Sequence, residues 1–238
     1  LALRNNMSDY AWRAGRRDEA LDGFRSACVI GEKLVAEFPA ASEYRDNLLG
    51  VRSSLARLLQ QMGRFVEAEV VVQSLLSDCE ALAAETQTRA RALIHRAWAL
   101  SRLAQVCSDR ENEAAVRLVW REAVASADRA ADEFPKTAFA LAGASWFLSM
   151  CPNIAYRDPE KALRFAERAA ELESDSPDVA RTLGLAQLRA GDADAAIESL
   201  QRARRLFRHR DLLTDLLLAM ALAESGRMKT ARGEFDHV

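Results

Sequence analysis

One short pattern recurs along this chain at intervals that constrain its architecture more than any other feature. Between Ser176 and Phe207 an apolar helical stripe through Leu183 and Gly184 stops at Gly191. A second stripe begins at Asp192 and carries Ala196, Leu200 and Ala203 on one face. Glycine suits the left-handed residue just past a helix end, and aspartate suits the cap of the next helix, so the stretch reads as two antiparallel helices joined by a tight turn. The same turn recurs as Gly15–Ala20, Gly63–Ala68, Asp109–Ala114, Arg157–Ala162, Gly191–Ala196 and Gly226–Ala231, at spacings of 48, 46, 48, 34 and 35. A second marker repeats in the longer part: Glu37, Glu85 and Glu133 are each 48 apart. Pro39 and Pro135 stop their helices, because the residue before a proline is pushed away from helical geometry.

The apolar spacing predicts helices over 1–14, 17–37, 41–62, 65–85, 87–108, 111–133, 137–150, 159–173, 177–190, 193–207, 210–225 and 228–238. Asp158-Pro159 and Ser176-Pro177 are starts of the cap-then-proline kind. The least regular segment, Cys151 to Arg157, is expected to be a loop where long repeats give way to short ones. Without Pro, the stretch Leu82–Gln87 is expected to join its helices with almost no loop.

The Leu-Gly, Gly-Asp and Ala-x-x-x-Leu placements of 176–207 resemble the tetratricopeptide repeat (TPR), with Ala180 and Gln187 standing where that motif usually has Trp and Tyr. The last two intervals match the length of about 34 residues typical of that repeat. The resemblance implies an all-α, right-handed α-solenoid of about six TPR-like hairpins, long ones over 1–135 and shorter ones over 136–238, continuous as one body. The segment from Trp146 to Leu163, taken with the long Gly-Arg-x-x-Glu-Ala repeats, is similar to arrays in large bacterial multidomain proteins, many of which carry a serine/threonine kinase domain ahead of the array. That likeness implies a non-catalytic assembly region, or alternatively a regulatory segment acting in cis on a larger enzyme. No glycine-rich loop, His-Arg-Asp or Asp-Phe-Gly is present. Both ends fall inside helix-like patterns and read as part of a longer polypeptide.

Composition narrows the function further. The chain of 238 residues has a formal net charge of −2, which gives no electrostatic push toward nucleic acid or an anionic membrane. No run approaches the roughly 18 apolar residues of a membrane span, and no signal peptide opens the chain, so a cytoplasmic protein is expected. Cys28, Cys79, Cys107 and Cys151 lie far apart without a Cys-x-x-Cys pair and read as small buried hydrophobes. His95, His209 and His237 sit on three different helices, so neither a metal site nor a nucleophile–base pair is expected, and no cofactor and no catalysis. The run Arg202–Arg210 reads as a solvated helix end whose cations complement the negative end of the dipole, or else as a contact for an acidic or phosphorylated partner.

The expected function is a protein-interaction scaffold. The first helix of each hairpin in a TPR lines a concave groove, so its non-packing stripe is where a peptide or protein segment would lie. Over 87–108, Leu93, Ala97, Leu100, Ala104 and Cys107 make the packing seam, while Arg91, His95, Trp98, Arg102 and Gln105 form a separate stripe. Moving back by 48 residues adds Asn47, Gly50, Ser54 and Arg57, and again Asn6 and Asp9; moving forward places Trp146 opposite Trp98. The candidate site is Asn6, Asp9, Asn47, Ser54, Arg57, His95, Trp98, Arg102, Gln105 and Trp146. Two readings of Trp98 stay open: an exposed groove anchor, or the packed tryptophan that the repeat motif carries near this height. Exposed helical faces at the two ends are a further expected route to self-association.

Overall fold

In the computed structural model the described residues are 7–8, 10–12, 14–83, 89–107 and 113–236. Every regular element among them is helical, with no strand. After a helical segment at residues 10–12 come α1 (Arg17–Glu37), α2 (Ser42–Gln61), α3 (Phe65–Ala83), α4 (Arg89–Cys107) and α5 (Glu113–Glu133). They are followed by α6 (Ala138–Met150), α7 (Pro159–Leu172), α8 (Pro177–Arg189), α9 (Ala193–Leu206), α10 (Leu212–Glu224) and α11 (Met228–Asp236). The chain divides into two compact units, Leu1–Ser126 and Ala127–Val238, with the division inside α5.

The turns form as their sequences dictate. Gly191 has φ of 88°, a left-handed value that costs glycine nothing, and the same sign recurs at Gly15, Gly63 and Gly226. At each turn the glycine N–H bonds back to the carbonyl three residues earlier, and the next N–H to the carbonyl five residues earlier: Gly191 to Leu188, then Asp192 to Gln187. These bonds satisfy carbonyls that a helix end would otherwise leave open. Asp192 then caps α9 by accepting from the Ala195 N–H at 3.0 Å, and Asp158 and Ser176 cap α7 and α8 in the same way, each followed by Pro at the first helical position.

Two of the six expected turns come out differently. At the fourth, Arg157 has φ of −80°, so no left-handed residue is present. The chain instead makes a short 3₁₀ turn over Ile154–Tyr156, with Arg157 Nε donating to the Cys151 carbonyl at 2.8 Å. At the third, residues 109–112 lie outside the described residues, and Ala114 is exposed rather than buried as the motif requires. Burial sets the phase here: Phe24, Val72 and Trp120 fill one position 48 residues apart, and Ala27, Leu75 and Ala123 the next. Val116, not Ala114, therefore stands in register with Ala20 and Ala68, and the period through the long repeats is a constant 48. The large Trp120 side chain fixes this register because it cannot leave the core without exposing more apolar surface than any alanine gains. The expected junction at Leu82–Gln87 falls mostly outside the described residues.

In unit one, helix α2 packs on α4 as well as on α1 and α3; in unit two, α8 packs on both α6 and α10. The helices that precede the turns thus form an inner row in each unit, and the helices that follow them an outer row. In matching register the inner helices carry small buried residues, Ala56 and Ala104 in unit one and Gly184 and Ala219 in unit two, and at Gly184 the side chain of Leu200 on α9 comes close. Cys28, Cys79 and Cys151 are buried and Cys107 half-buried. For Cys79, burial pushes the thiol up to about 12, as expected of a cysteine serving as a core hydrophobe.

Candidate binding face

Helix α4 is packed on two sides. Leu93, Ala97, Leu100 and Ala104 are buried along the expected seam, with Cys107 half-buried at its end, while Ala92 and Ala99 join Leu49, Ala56, Val72 and Leu75 in a core cluster. What remains is the polar stripe Arg91, His95, Trp98, Arg102 and Gln105.

Two polar ties set α4 against α2. Near one end Arg91 Nη1 donates to Asp46 Oδ2 at 2.7 Å. Near the other, Gln60 Nε2 donates to the Arg102 carbonyl at 3.0 Å, while Arg102 Nη1 reaches Gln60 Oε1 at 3.5 Å. The two helices therefore run side by side in one direction, with 46 beside 91 and 60 beside 102. Between the ties the face carries Asn47 and Ser54, both half-buried, and Arg57, which is exposed. On α4 it carries His95, Trp98 and Arg102, all half-buried, with Gln105 exposed at the end.

The electrostatics of this face are uneven. Burial pushes the His95 imidazole below its ordinary value, Asp46 pulling it back up and Arg91 pushing it further down, so the ring is held neutral. Arg102 is the more unusual group. Burial pushes its guanidinium down to about 10, and the Arg57 charge adds to the effect. Its Nε has no hydrogen-bond partner, and no carboxylate pairs with it, among the described residues. A partly desolvated cation beside a second cation is costly unless something negative joins it.

Of the ten candidate residues, α2 and α4 bring seven onto one face. Asn6 and Asp9 lie outside the described residues. Trp146, on α6 in unit two, is half-buried against that unit's core, and the Arg181 guanidinium sits 5.4 Å from its ring centroid. Arg181 also stacks on Phe207 at 5.1 Å and donates to Asp211 at 2.8 Å and to Asp178, so this tryptophan is held by a structural cluster. Gln60 and Asp46 were not among the candidates. Gln60 lies one helical turn beyond Arg57 on the same helix, so extending the stripe by one turn would have included it. Of the cationic run Arg202–Arg210, Arg202 pairs with Asp175, Arg204 with Glu234 and Arg210 with Asp215, as in a solvated and locally balanced helix end.

No protein-family model and no curated protein matches the sequence. Solved structures do. A thermophilic TPR protein of Thermus thermophilus superposes with a TM-score of 0.56 at 21% identity, covering 93% of this chain and 98% of that one. The fold is that of a TPR array. BtubC from P. vanneervenii gives a TM-score of 0.51 at 17% identity, covering 93% of this chain and 89% of that one. At these identities the TPR likeness is one of fold. Among the described residues no group of His, Cys, Asp and Glu is placed to hold a metal ion, and no helix is long and apolar enough to cross a membrane.

Proposed function

We propose that this TPR array works by binding, as a scaffold whose α2/α4 face takes a segment of another protein. Trp98 is the apolar anchor, Arg102 with Arg57 receives an acidic group of the partner, and Asn47, Ser54, His95 and Gln105 supply polar contacts around them. The observation that carries this reading is the Arg102 guanidinium: half-buried, beside a second arginine, and without a carboxylate among the described residues. A purely structural arginine is normally paired, as Arg52 is with Glu32 at 2.8 Å and with Asp78. A carboxylate arriving from outside would supply the missing charge through a fork of N–H donors. Neutral His95 contributes hydrogen bonding without adding to the positive charge.

The test uses peptides selected on the purified chain from a random display library. Acidic residues should be enriched in the selected sequences. Arg102→Met should weaken their binding at least about 30-fold, roughly 2 kcal/mol, because a central charged contact is lost. The same change should leave melting temperature unchanged or higher, since a buried cation is replaced by an apolar side chain. Trp98→Ala should likewise weaken binding while the fold survives. If Trp98 serves packing instead, its truncation will cost about 3–5 kcal/mol of stability. Normal peptide binding by both variants would remove the face from consideration.

A further inference from the structure

The tie between α2 and α4 at Gln60 is made without a charge, which sets it apart from the ties around it. Arg52 joins α2 to α1 and α3 through Glu32 and Asp78, Arg91 joins α4 to α2 through Asp46, and Arg96 joins α4 to α5 through Glu122. In each of these the group that holds the guanidinium also cancels its charge. At Arg102 the holding group is the half-buried amide of Gln60, and no carboxylate joins it among the described residues. The Arg102 Nε stays without a partner.

The amide is oriented by its own bonds. Its Nε2 donates to the Arg102 carbonyl at 3.0 Å, and its Oε1 accepts from Arg102 Nη1 at 3.5 Å. The flipped amide would set donor against donor and acceptor against acceptor. The first bond fixes Gln60 to the backbone of α4, and the second fixes the guanidinium to Gln60. Glutamate at this position would accept only and lysine would donate only, each adding a charge. Glutamine makes both bonds and adds none.

We propose that Gln60 makes this face selective for acidic partners, by holding the Arg102 guanidinium in place while leaving its charge for the partner to cancel. Given the docking of an acidic segment on the α2/α4 face proposed above, selectivity for acid over its neutral isostere is set at position 60. A carboxylate there would supply from within what the partner supplies from outside, and the incoming acid would find the guanidinium already paired.

The probe is an aspartate-bearing peptide selected on the purified chain, compared by fluorescence anisotropy with its twin carrying asparagine at that place. The parent should prefer the acid at least about tenfold. Gln60→Glu should cut that preference to about twofold or less, with the asparagine twin bound as by the parent. Gln60→Lys keeps the donation to the Arg102 carbonyl and adds a cation, so it should raise the preference. The two changes act in opposite directions, so whichever variant keeps its helix content by circular dichroism decides. Gln61→Glu adds the same charge one residue on, at an exposed position, and should leave the preference within about twofold of the parent's. If Gln60 only joins the helices, its variants will shift melting temperature and affect both peptides alike. An unchanged preference at position 60, or an equal shift from Gln61→Glu, overturns the proposal and leaves the binding face standing. If Arg102→Met also keeps the parent's preference, or the selection returns no acidic peptide, the face falls and the proposal falls with it.

Discussion

Among the described residues each α-helix from Arg17 to Cys107 takes 19 to 21 residues, whereas each α-helix from Ala138 to Glu224 takes 13 or 14. The two regions secure most of their helix starts differently, α6 with its uncapped start at Thr137 being the exception in the short region. In the short region α7, α8, α9 and α10 all begin on a residue whose side chain accepts from the first turn: Asp158, Ser176, Asp192 and Asp211. In the long region the residues before α1 and α2, Arg16 and Ala41, make no such bond. Four amide groups at the start of any helix lack an internal partner, roughly a third of a short helix and a fifth of a long one. A helix that is mostly ends depends on its caps; a helix that is mostly middle depends on its packed side. In the long region the turn motif Gly-Arg-x-x-Glu places a surface ion pair in the first turn instead, Arg16 with Glu19 at 2.9 Å and Arg64 with Glu67 at 2.6 Å.

The close crossings sharpen this contrast most. A Cβ placed on Gly184 would lie 2.5 Å from Leu200 Cγ and 3.2 Å from the Ala196 carbonyl oxygen, one a core side chain and the other backbone. Gly184→Ala should therefore cost about 1–3 kcal/mol, read in denaturant unfolding, as overpacked cores do. Gly50, inside α2, has nothing within 4 Å of the same virtual atom. Gly50→Ala should stabilise by about 0.5–1 kcal/mol through helix propensity. Equal effects at the two positions would refute the reading that the close approach of Leu200 requires glycine at 184.

Next in size come the caps. Asp192→Ala should lose about 1 kcal/mol, the usual worth of a side-chain cap. Arg16→Ala should change stability by less than about 0.5 kcal/mol, since its ion pair with Glu19 is exposed on both sides. Melting temperatures of the two variants measure this difference directly.

The smallest effect concerns pH and belongs to unit one. His95 has a folded-state value below the unfolded one, so the unfolded chain binds its proton first as pH falls. The contribution of His95 is intact above about pH 6.5 and is lost progressively below it, down to the folded-state value. His95→Gln should flatten stability against pH in that window, and a curve identical to the parent's would show that the ring is not held neutral.

Most of this architecture could be read from residue spacing alone. Where the described residues run past a helix end, the bounds from Arg17 onward fall within two residues of where apolar periodicity and caps place them. Glycine, proline and aspartate act locally, and a local cause shows in a local pattern. The register at Val116 was hidden because Asp109–Ala114 imitates the motif, while the residue that decides the phase, Trp120, acts through burial against other helices. The candidate face was legible as a stripe on α4 but not as a charge arrangement. Which arginines are paired depends on carboxylates distant in sequence: among the described residues Arg52 finds Glu32 and Asp78, Arg91 finds Asp46, and Arg102 finds Gln60 but no carboxylate.

The four turn glycines carry one more implication. A Cβ on Gly15, Gly63, Gly191 or Gly226 would meet nothing within 4 Å, so room is not what selects glycine there; handedness is. An alanine of the mirror-image configuration prefers this positive φ and would fit the open space. It would also leave the unfolded chain fewer conformations to lose. Semisynthesis with D-alanine at these four positions would turn the most permissive points of the backbone into its most rigid ones, with every helix contact left in place.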